Sequence, residues 1–423
     1  MKKILLSLLL FISMQISAQK TILIKCGKLI DPVSGNTLEK QNVLIKAGVI
    51  LSVSSETIAA DSVIDLSNYF VMPGLIDCHT HVLLQGDITS EDYDVQVLKE
   101  SIPYRTIRAT KSAEQSILNG FTTIRDLGTE GAGFADVDIK KAINKKVITG
   151  PRMQIATLAM NTTGHYPLKA SDYAWELKFP KGVIEITGAD EARRAVRQQI
   201  EQGADWIKIY ADRGYYRLAD GSFRALPNFT SDEINAIGDE TIRSRKKLAA
   251  HAMTRDGILA AINAGASTIE HGSGMDEECM KLMAAKGIYW CPTLFVNEYV
   301  AEGRLKMGSP INSYFQQSIE STFKKAIKAG VKLAYGTDIG GYDWSLPQAK
   351  DFTYFVKWGL TPMQAIQTAT TTAADLLDMT GKIGVIQKGA FADIIAFKKD
   401  PLKNIEVLQS VDWVMKDGKV CKQ

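Results

Sequence analysis

Between residues 75 and 337 short apolar runs alternate with helical segments, and this alternation constrains the chain more than any other feature. The runs are 75–82, 122–127, 153–158, 206–211, 248–253, 268–271, 289–295 and 332–337. Each is short enough for a strand buried on both faces, and the segments between them carry helix boundaries. Thr230 with Glu233 three residues on forms a capping box; Asp276 is an N-cap with Gly287 past the helix end; Thr361-Pro362 opens a helix running to 378. Strand–helix alternation implies a parallel sheet with crossover helices. Eight units over about 310 residues point to a (β/α)8 TIM barrel, somewhat above its typical ~250 residues; a doubly wound open sheet is the rival. Gly131-Ala132-Gly133 lacks the third glycine and the spacing of a dinucleotide loop, and reads as a strand–helix turn.

The flanks have a different rhythm. Residues 21–25, 42–46, 49–53 and 62–66 read as strands separated by turn signals such as Asp31-Pro32 and Ser34-Gly35-Asn36. Strand character returns at 392–397 and 411–415, where Asp417-Gly418 signals a hairpin. The two ends are expected to build one small β-sandwich domain, 19–72 plus 384–423, around a barrel domain at 73–383.

Residues 1–18 have the form of a secretory signal peptide: Met1-Lys2-Lys3, the apolar run 4–12, then Ser13 to Ala18 before a plausible cut. The apolar run is shorter than the roughly 20 residues of a membrane span, and no second span follows, so a secreted or periplasmic protein is expected. Removing Lys2 and Lys3 would take the formal charge from +3 to +1. With Lys+Arg at 50, Asp+Glu at 47 and no block of five like charges, there is no electrostatic footprint for nucleic acid. A small-molecule or dipeptide substrate is the expected partner; self-association into a homo-oligomer is left open. The five cysteines (Cys26, Cys78, Cys279, Cys291, Cys421) form no CxxC pair. Cys26 and Cys421 lie near the two ends and could bridge in an oxidising compartment; buried free thiols are the alternative.

The chemistry concentrates in very few residues. There are five histidines: His79, His81, His165, His251 and His271. His79 and His81 are two apart on a strand, so both imidazoles face one side and can share a metal. His251 and His271 end the fifth and sixth runs, Lys208 lies in the fourth, and Asp338 follows the eighth. Strand C-terminal ends are where barrel enzymes place their chemistry.

The segments Met72-Pro73-Gly74-Leu75-Ile76-Asp77-Cys78-His79-Thr80-His81, Ile207-Lys208, Ala250-His251-Ala252, Ile269-Glu270-His271-Gly272 and Gly336-Thr337-Asp338 resemble the metal-site motifs of the amidohydrolase superfamily. The closing segment Gly389-Ala390-Phe391-Ala392-Asp393-Ile394-Ile395 is similar to that family's return into its small β domain. The likeness covers nearly the whole mature chain. It is nearest to the imidazolonepropionase-like branch that includes Xaa-Pro dipeptidases (prolidases) and ochratoxinase-type amidases.

The resemblance implies two divalent metal ions, usually Zn2+. His79, His81 and Asp338 would hold the first, His251 and His271 the second, and Lys208, carboxylated by carbon dioxide to a carbamate, would bridge them. A hydroxide shared by the metals would be the nucleophile, and Asp338 would shuttle its proton to the leaving amine. His165, in Thr163-Gly164-His165, would contact the substrate or the tetrahedral oxyanion. The implied activity is hydrolysis of an amide or peptide C–N bond, most plausibly in a dipeptide of Xaa-Pro type. An amidase for N-acyl amino acids, lactams or foreign amides is the close rival, and a non-catalytic metal- or solute-binding barrel the rival of another class.

Two departures bear on the substrate. Dipeptidase-branch members commonly carry a tyrosine two residues after the third metal histidine, where this chain has Met253, and a Ser-Gly-Gly after the lysine strand, where this chain has Ala211-Asp212-Arg213-Gly214-Tyr215-Tyr216. Substrate recognition is therefore expected in residues 212–229, with Arg213 as the carboxylate partner, Tyr210 and Tyr215 as neighbouring walls, and Arg217 and Arg224 as alternatives.

Overall fold

The computed structural model describes residues 20–88, 90–165 and 173–423; the expected leader at 1–18 lies outside the described residues. The chain begins with β1 (Thr21–Asp31), β2 (Asn36–Glu39), β3 (Asn42–Lys46), β4 (Val49–Ser54) and β5 (Ser62–Pro73). β1 pairs antiparallel with β2 and β3, and parallel with β5. Its residues Leu23, Ile24, Cys26, Leu29 and Ile30 are buried while Lys25 and Lys28 are exposed.

The central part contains β6 (Leu75–Thr80), β7 (Phe121–Asp126), β8 (Arg152–Ile155), β9 (Ala159–Thr162), β10 (Val183–Ile186), β11 (Trp206–Tyr210), β12 (Asp212–Arg217), β13 (Phe223–Pro227), β14 (Lys247–Ala252), β15 (Thr268–His271), β16 (Tyr289–Cys291) and β17 (Lys332–Leu333). Each of the eight expected runs holds a strand. β6, β7 and β8 form one parallel sheet; β9, β11, β14, β15, β16 and β17 form another, with β10 beside β9. Hydrogen bonds run between them. The Asp205 N–H donates to Ile155 O (2.8 Å), Cys78 N–H to Tyr335 O (2.8 Å) and His81 N–H to Ile339 O (2.8 Å). The result is a TIM-barrel-like α/β arrangement with an additional sheet.

Three expected elements differ in extent. In the third run the strand stops at Ile155, where Thr157 takes left-handed backbone (φ 58°), and a further strand, β9, begins just past the run at Ala159. The seventh ends at Cys291, because the Asp351 carboxylate accepts the N–H groups of Leu294 (2.5 Å) and Phe295 (3.2 Å) and so opens the helix Leu294–Lys306. The helix expected over 362–378 is two, Pro362–Thr368 and Thr371–Leu376. The carbonyls of Thr368 and Ala369 accept from Tyr335 (3.0 Å) and Ile76 (2.8 Å), which breaks the helical ladder at that point. The capping boxes at Thr230/Glu233 and Thr361/Gln364 form, as does the Asp276 cap with Gly287 left-handed at the helix end.

The chain closes with β18 (Ile394–Phe397), β19 (Trp413–Lys416) and β20 (Lys419–Lys422). Asp417 and Gly418 both have positive φ (48° and 73°), as a two-residue type I′ hairpin turn requires. β18 pairs with β5 at residues 70–73, on the edge opposite β1, which pairs with β5 at 62–66 and again at 70–71. Among the described residues, the N-terminal strands from Thr21 and the C-terminal strands therefore join one sheet of eight strands, ordered β20-β19-β18-β5-β1-β3-β4 with β2 on β1. The twelve-residue β5 joins the two halves of this sheet, and they pack on each other: Ile24, Val43, Ile45 and Ile50 share one buried cluster with Ile394, Ala396, Trp413 and Met415. Arg152 ties this sheet to the barrel through Asp393 (2.6 Å) and Asp417 (2.5 Å).

All five cysteines are free, four of them buried. Cys26 and Cys421 do not bridge: Cys26 is buried in the core of the chain-end sheet, and Cys421 packs against the larger core beside it. Among the described residues no helix is long and apolar enough to cross a membrane.

Candidate metal centre

His79 near the end of β6 and His81 just past it turn their imidazoles to the same side, as the two-residue period requires. Their Nε2 atoms lie 3.4 and 3.2 Å from Oδ1 of Asp338. The three side chains offer ligand atoms all within 4.8 Å of one another. Asp338 is held in left-handed backbone (φ 59°), with its N–H donating to His79 O (2.7 Å). The buried Asp77 carboxylate braces the same junction: it accepts from the His79 N–H (2.9 Å), the Thr337 hydroxyl (2.6 Å) and the Gln348 amide (2.7 Å).

His251 and His271 close the cluster. Ring centroids are 4.6 Å apart for His251 and His271, 5.1 Å for His79 and His271, and 5.3 Å for His79 and His81. Lys208 on β11 is 2% exposed and sits within electrostatic range of His79, His251 and His271. His271, Thr293, Glu130 and Asp338 all adopt positive φ (69°, 47°, 48° and 59°). Left-handed backbone costs a non-glycine residue roughly 1–2 kcal/mol, and such strain gathers where side-chain aim matters.

Each imidazole has one nitrogen taken by a protein group. Nδ1 of His79 meets Glu270 (2.8 Å), Nδ1 of His81 meets Gly128 O (3.0 Å), Nδ1 of His271 meets the Thr293 hydroxyl (2.7 Å), and Nε2 of His251 meets the Tyr215 hydroxyl (3.0 Å). Outer partners of this kind fix the tautomer and orientation of metal-binding histidines. Glu270 is itself held by Arg125 (2.8 Å) and by the Thr268 hydroxyl, while Arg125 also donates to Cys78 O (2.6 Å).

The electrostatics suit a cation. Burial, reinforced by the Lys208 charge, takes His79 down to about 4. Burial also keeps His251 and His271 well below the usual imidazole range. It lowers Lys208 too, against the pull of Glu270 and Asp338. Burial opposes ionisation of Asp338 and Glu270, yet the imidazoles of His79 and His81 hold the first low, and Arg125 with His79 holds the second low. Three imidazoles with free lone pairs beside an ionised carboxylate are in the protonation states that metal ligands need. His81 differs: burial is outweighed by Asp338, Glu130 and Asp126, which raise it to about 9. Its Nε2 faces Oδ1 of Asp338 at 3.2 Å, a pairing that a cation between them would satisfy in the same way.

The expected substrate residues are placed more diversely. Tyr210 is buried, its hydroxyl donating to Glu130 (2.8 Å) and its ring 5.1 Å from His251. Arg213 lies with its guanidinium carbon 4.3 Å from the centre of that ring. Residues 212–227 form the hairpin β12–β13 rather than an irregular loop. Arg217 donates within it to Gly221 O (3.3 Å), and Arg224 pairs with Asp256 (2.6 Å), so neither reaches the cluster. His165 is exposed, 3.4 Å from the Asn228 side chain, and is not among the converging imidazoles. Sequence reasoning missed Glu270, Arg125, Glu130 and Asp212. A charge inside an apolar strand run, as at Arg125 and Glu270, was the signal, since such groups are buried only when paired.

Imidazoles, a carboxylate and a lysine gathered at the ends of parallel strands define a hydrolase of the barrel type. The chain belongs to the amidohydrolase family, whose family model matches residues 70–421. It is 32% identical to ochratoxinase of Aspergillus niger, over 95% of this chain and 87% of that one. Among solved structures, a Xaa-Pro dipeptidase with methionine bound in its active site is 33% identical with a TM-score of 0.84, covering 95% of this chain and 100% of the other. A prolidase complexed with N-methylphosphonate-L-proline is 28% identical with a TM-score of 0.84, at the same coverages. The protein is accordingly an enzyme, an amidohydrolase acting on C–N bonds of amides or peptides, from a family that generally binds divalent metals.

Proposed function

We propose that this amidohydrolase is an exported binuclear dipeptidase of Xaa-Pro type, with His79, His81 and Asp338 holding one Zn2+, His251 and His271 the other, and Lys208 between them. The observation that carries the reading is the pattern of imidazole partners: four rings, each anchored through one nitrogen, collected around Asp338 and Lys208. Two divalent cations bound there would supply an activated water and polarise the scissile carbonyl.

The chain's own residues do the rest. Lys208, its ammonium disfavoured by burial, can present a neutral amine whose nitrogen adds to carbon dioxide and loses a proton; the product is an anionic carbamate able to bridge two cations. Asp338, kept ionised, takes a proton from the attacking water on a carboxylate oxygen and returns it to the leaving amine. Arg213 offers a planar guanidinium to the substrate carboxylate, backed by the Tyr210 ring. The hydroxyls of Tyr210 and Tyr215 are engaged by Glu130 and by His251 and Asp212, so these residues contribute ring surface. His165 would contact the substrate or its oxyanion. The proposal includes export through 1–18 to the periplasm or medium, and an eight-stranded closed barrel at 73–383 beside a β domain of 19–72 plus 384–423.

A second reading, an amidase for N-acyl amino acids, is favoured by the 32% identity to ochratoxinase and by Met253 in place of a tyrosine. Zinc-loaded protein assayed against Xaa-Pro, Xaa-Arg and N-acyl amino acid libraries separates the two. The dipeptidase reading expects turnover of Xaa-Pro; turnover confined to N-acyl substrates replaces it with the amidase.

A further inference from the structure

The hairpin that follows the lysine strand makes a contact that the hydrolytic steps above do not use. The hydroxyl of Tyr215 lies 3.0 Å from Nε2 of His251 and 3.2 Å from Oδ1 of Asp212, and that same Oδ1 is 3.8 Å from Nε2. Asp212 has no solvent exposure and is pinned as an acceptor: it takes the Met253 N–H (3.0 Å), the Thr254 N–H (2.8 Å) and the Thr254 hydroxyl (2.7 Å). These donors lock the start of β12 to the turn just after β14, so Asp212 cannot swing away from the histidine.

Two proton placements fit these distances, and the surroundings of Nδ1 select between them. A phenol carries a single hydrogen and can also accept. If the phenol donated to Nε2, the His251 hydrogen would sit on Nδ1 as a buried donor; the arrangement that avoids this points the Tyr215 hydrogen to Oδ1 of Asp212 and leaves the phenol oxygen to accept from His251. That requires the hydrogen of His251 on Nε2, which leaves the lone pair on Nδ1. Among the described residues Nδ1 of His251 meets no protein partner, in contrast to Nδ1 of His79, His81 and His271.

We infer that Asp212 and Tyr215 are positioning residues, a relay from His251 Nε2–H through the Tyr215 hydroxyl to the Asp212 carboxylate that fixes the tautomer of His251 and makes the β12–β13 hairpin a determinant of the second cation site. Met253 fits the same account. It lies in one apolar cluster with Ile311 and Phe315, against which Tyr215, Phe223 and Tyr314 pack. The residue that departs from the family's tyrosine thus helps seat a tyrosine delivered from the hairpin, and an unbranched thioether suits such an irregular gap. The inference rests on the two-cation reading above.

The test uses Tyr215→Phe, which removes one hydroxyl from a half-buried hairpin residue and keeps the ring in its cluster. Two quantities are read on the full-length, zinc-loaded enzyme: dissociation of each zinc equivalent against a graded chelator, and the imidazole N–H resonances after 15N-histidine labelling, which only five histidines make assignable. One equivalent is expected to bind about 10- to 100-fold more weakly in the variant while the other is unchanged, the range typical of losing an outer partner. The His251 Nε2–H resonance, slowly exchanging in the parent, is expected to shift upfield and exchange fast. Either unchanged zinc retention or an unchanged His251 resonance in Tyr215→Phe overturns the relay. A parent enzyme holding only one zinc would instead overturn the two-cation reading, and the His251 resonance would still decide the relay. Asp212→Asn, which keeps the acceptor oxygen for Tyr215 but not its charge, should weaken the same equivalent.

Discussion

At the scale of single residues, the site is defined by which groups are kept from protonation. Lys208 is the clearest case, because a buried ammonium beside three imidazoles has no role as a ligand until it loses its charge. Lys208→Ala should lose metal and activity together, and small carboxylic acids in the buffer should restore part of both; unchanged metal content and rate would make the lysine purely structural. Asp338→Asn keeps the shape of the side chain without its basicity, so kcat should fall by about 10²- to 10⁴-fold, with metal measured on the same sample to separate proton transfer from ligation. Behind them, Arg125 and Glu270 form a fully buried ion pair. Arg125→Met would leave Glu270 uncompensated, a loss of about 3–5 kcal/mol. Because Arg125 and His79 hold Glu270 below its ordinary value, its stabilising contribution is present above the unfolded value of about 4.3 and is lost as the pH falls further. The gap in urea midpoint between Arg125→Met and parent should therefore be widest near neutral pH and narrow on acidification; a gap independent of pH would assign the loss to packing.

At the scale of elements, what was legible in the sequence was whatever local chemistry decides. The Thr230/Glu233 capping box, the helix start at Thr361-Pro362, the Asp417-Gly418 hairpin and the strand core of each apolar run depend on a few adjacent residues, and they form where expected. Extents set by distant partners were not legible: Asp351 ends the seventh run from 56 residues away, and β-strand amides break the helix at Ala369. The ligand cluster could be read because strand ends bring His79, His81, Lys208, His251, His271 and Asp338 together by topology alone. The hairpin β12–β13 could not, since Arg213 to Phe223 reads equally well as a solvated loop. Its placement makes a prediction that belongs to the element: Arg213, on the hairpin whose Tyr215 meets His251 and stacked on Tyr210, should bind the substrate carboxylate. Arg213→Ala should raise KM strongly for substrates ending in a free carboxylate and much less for their amides. Equal effects on acid and amide would remove this residue from carboxylate recognition.

For the whole molecule, two parts meet at one seam. Arg152 bridges the barrel to Asp393 and Asp417 of the chain-end sheet, and the carbonyl ends of the parallel strands present the ligands on a face built by β6, β11, β14 and β15. Strained backbone at Glu130, His271, Thr293 and Asp338 is carried by that rigid frame. The central claim is that this frame is built around a pair of cations, because a single ion would leave either the His79/His81 pair or the His251/His271 pair without a partner. Elemental analysis of purified full-length protein tests it most directly. The account predicts close to two equivalents of divalent metal per chain in the active enzyme, and a stable, fully active enzyme holding one equivalent would contradict it.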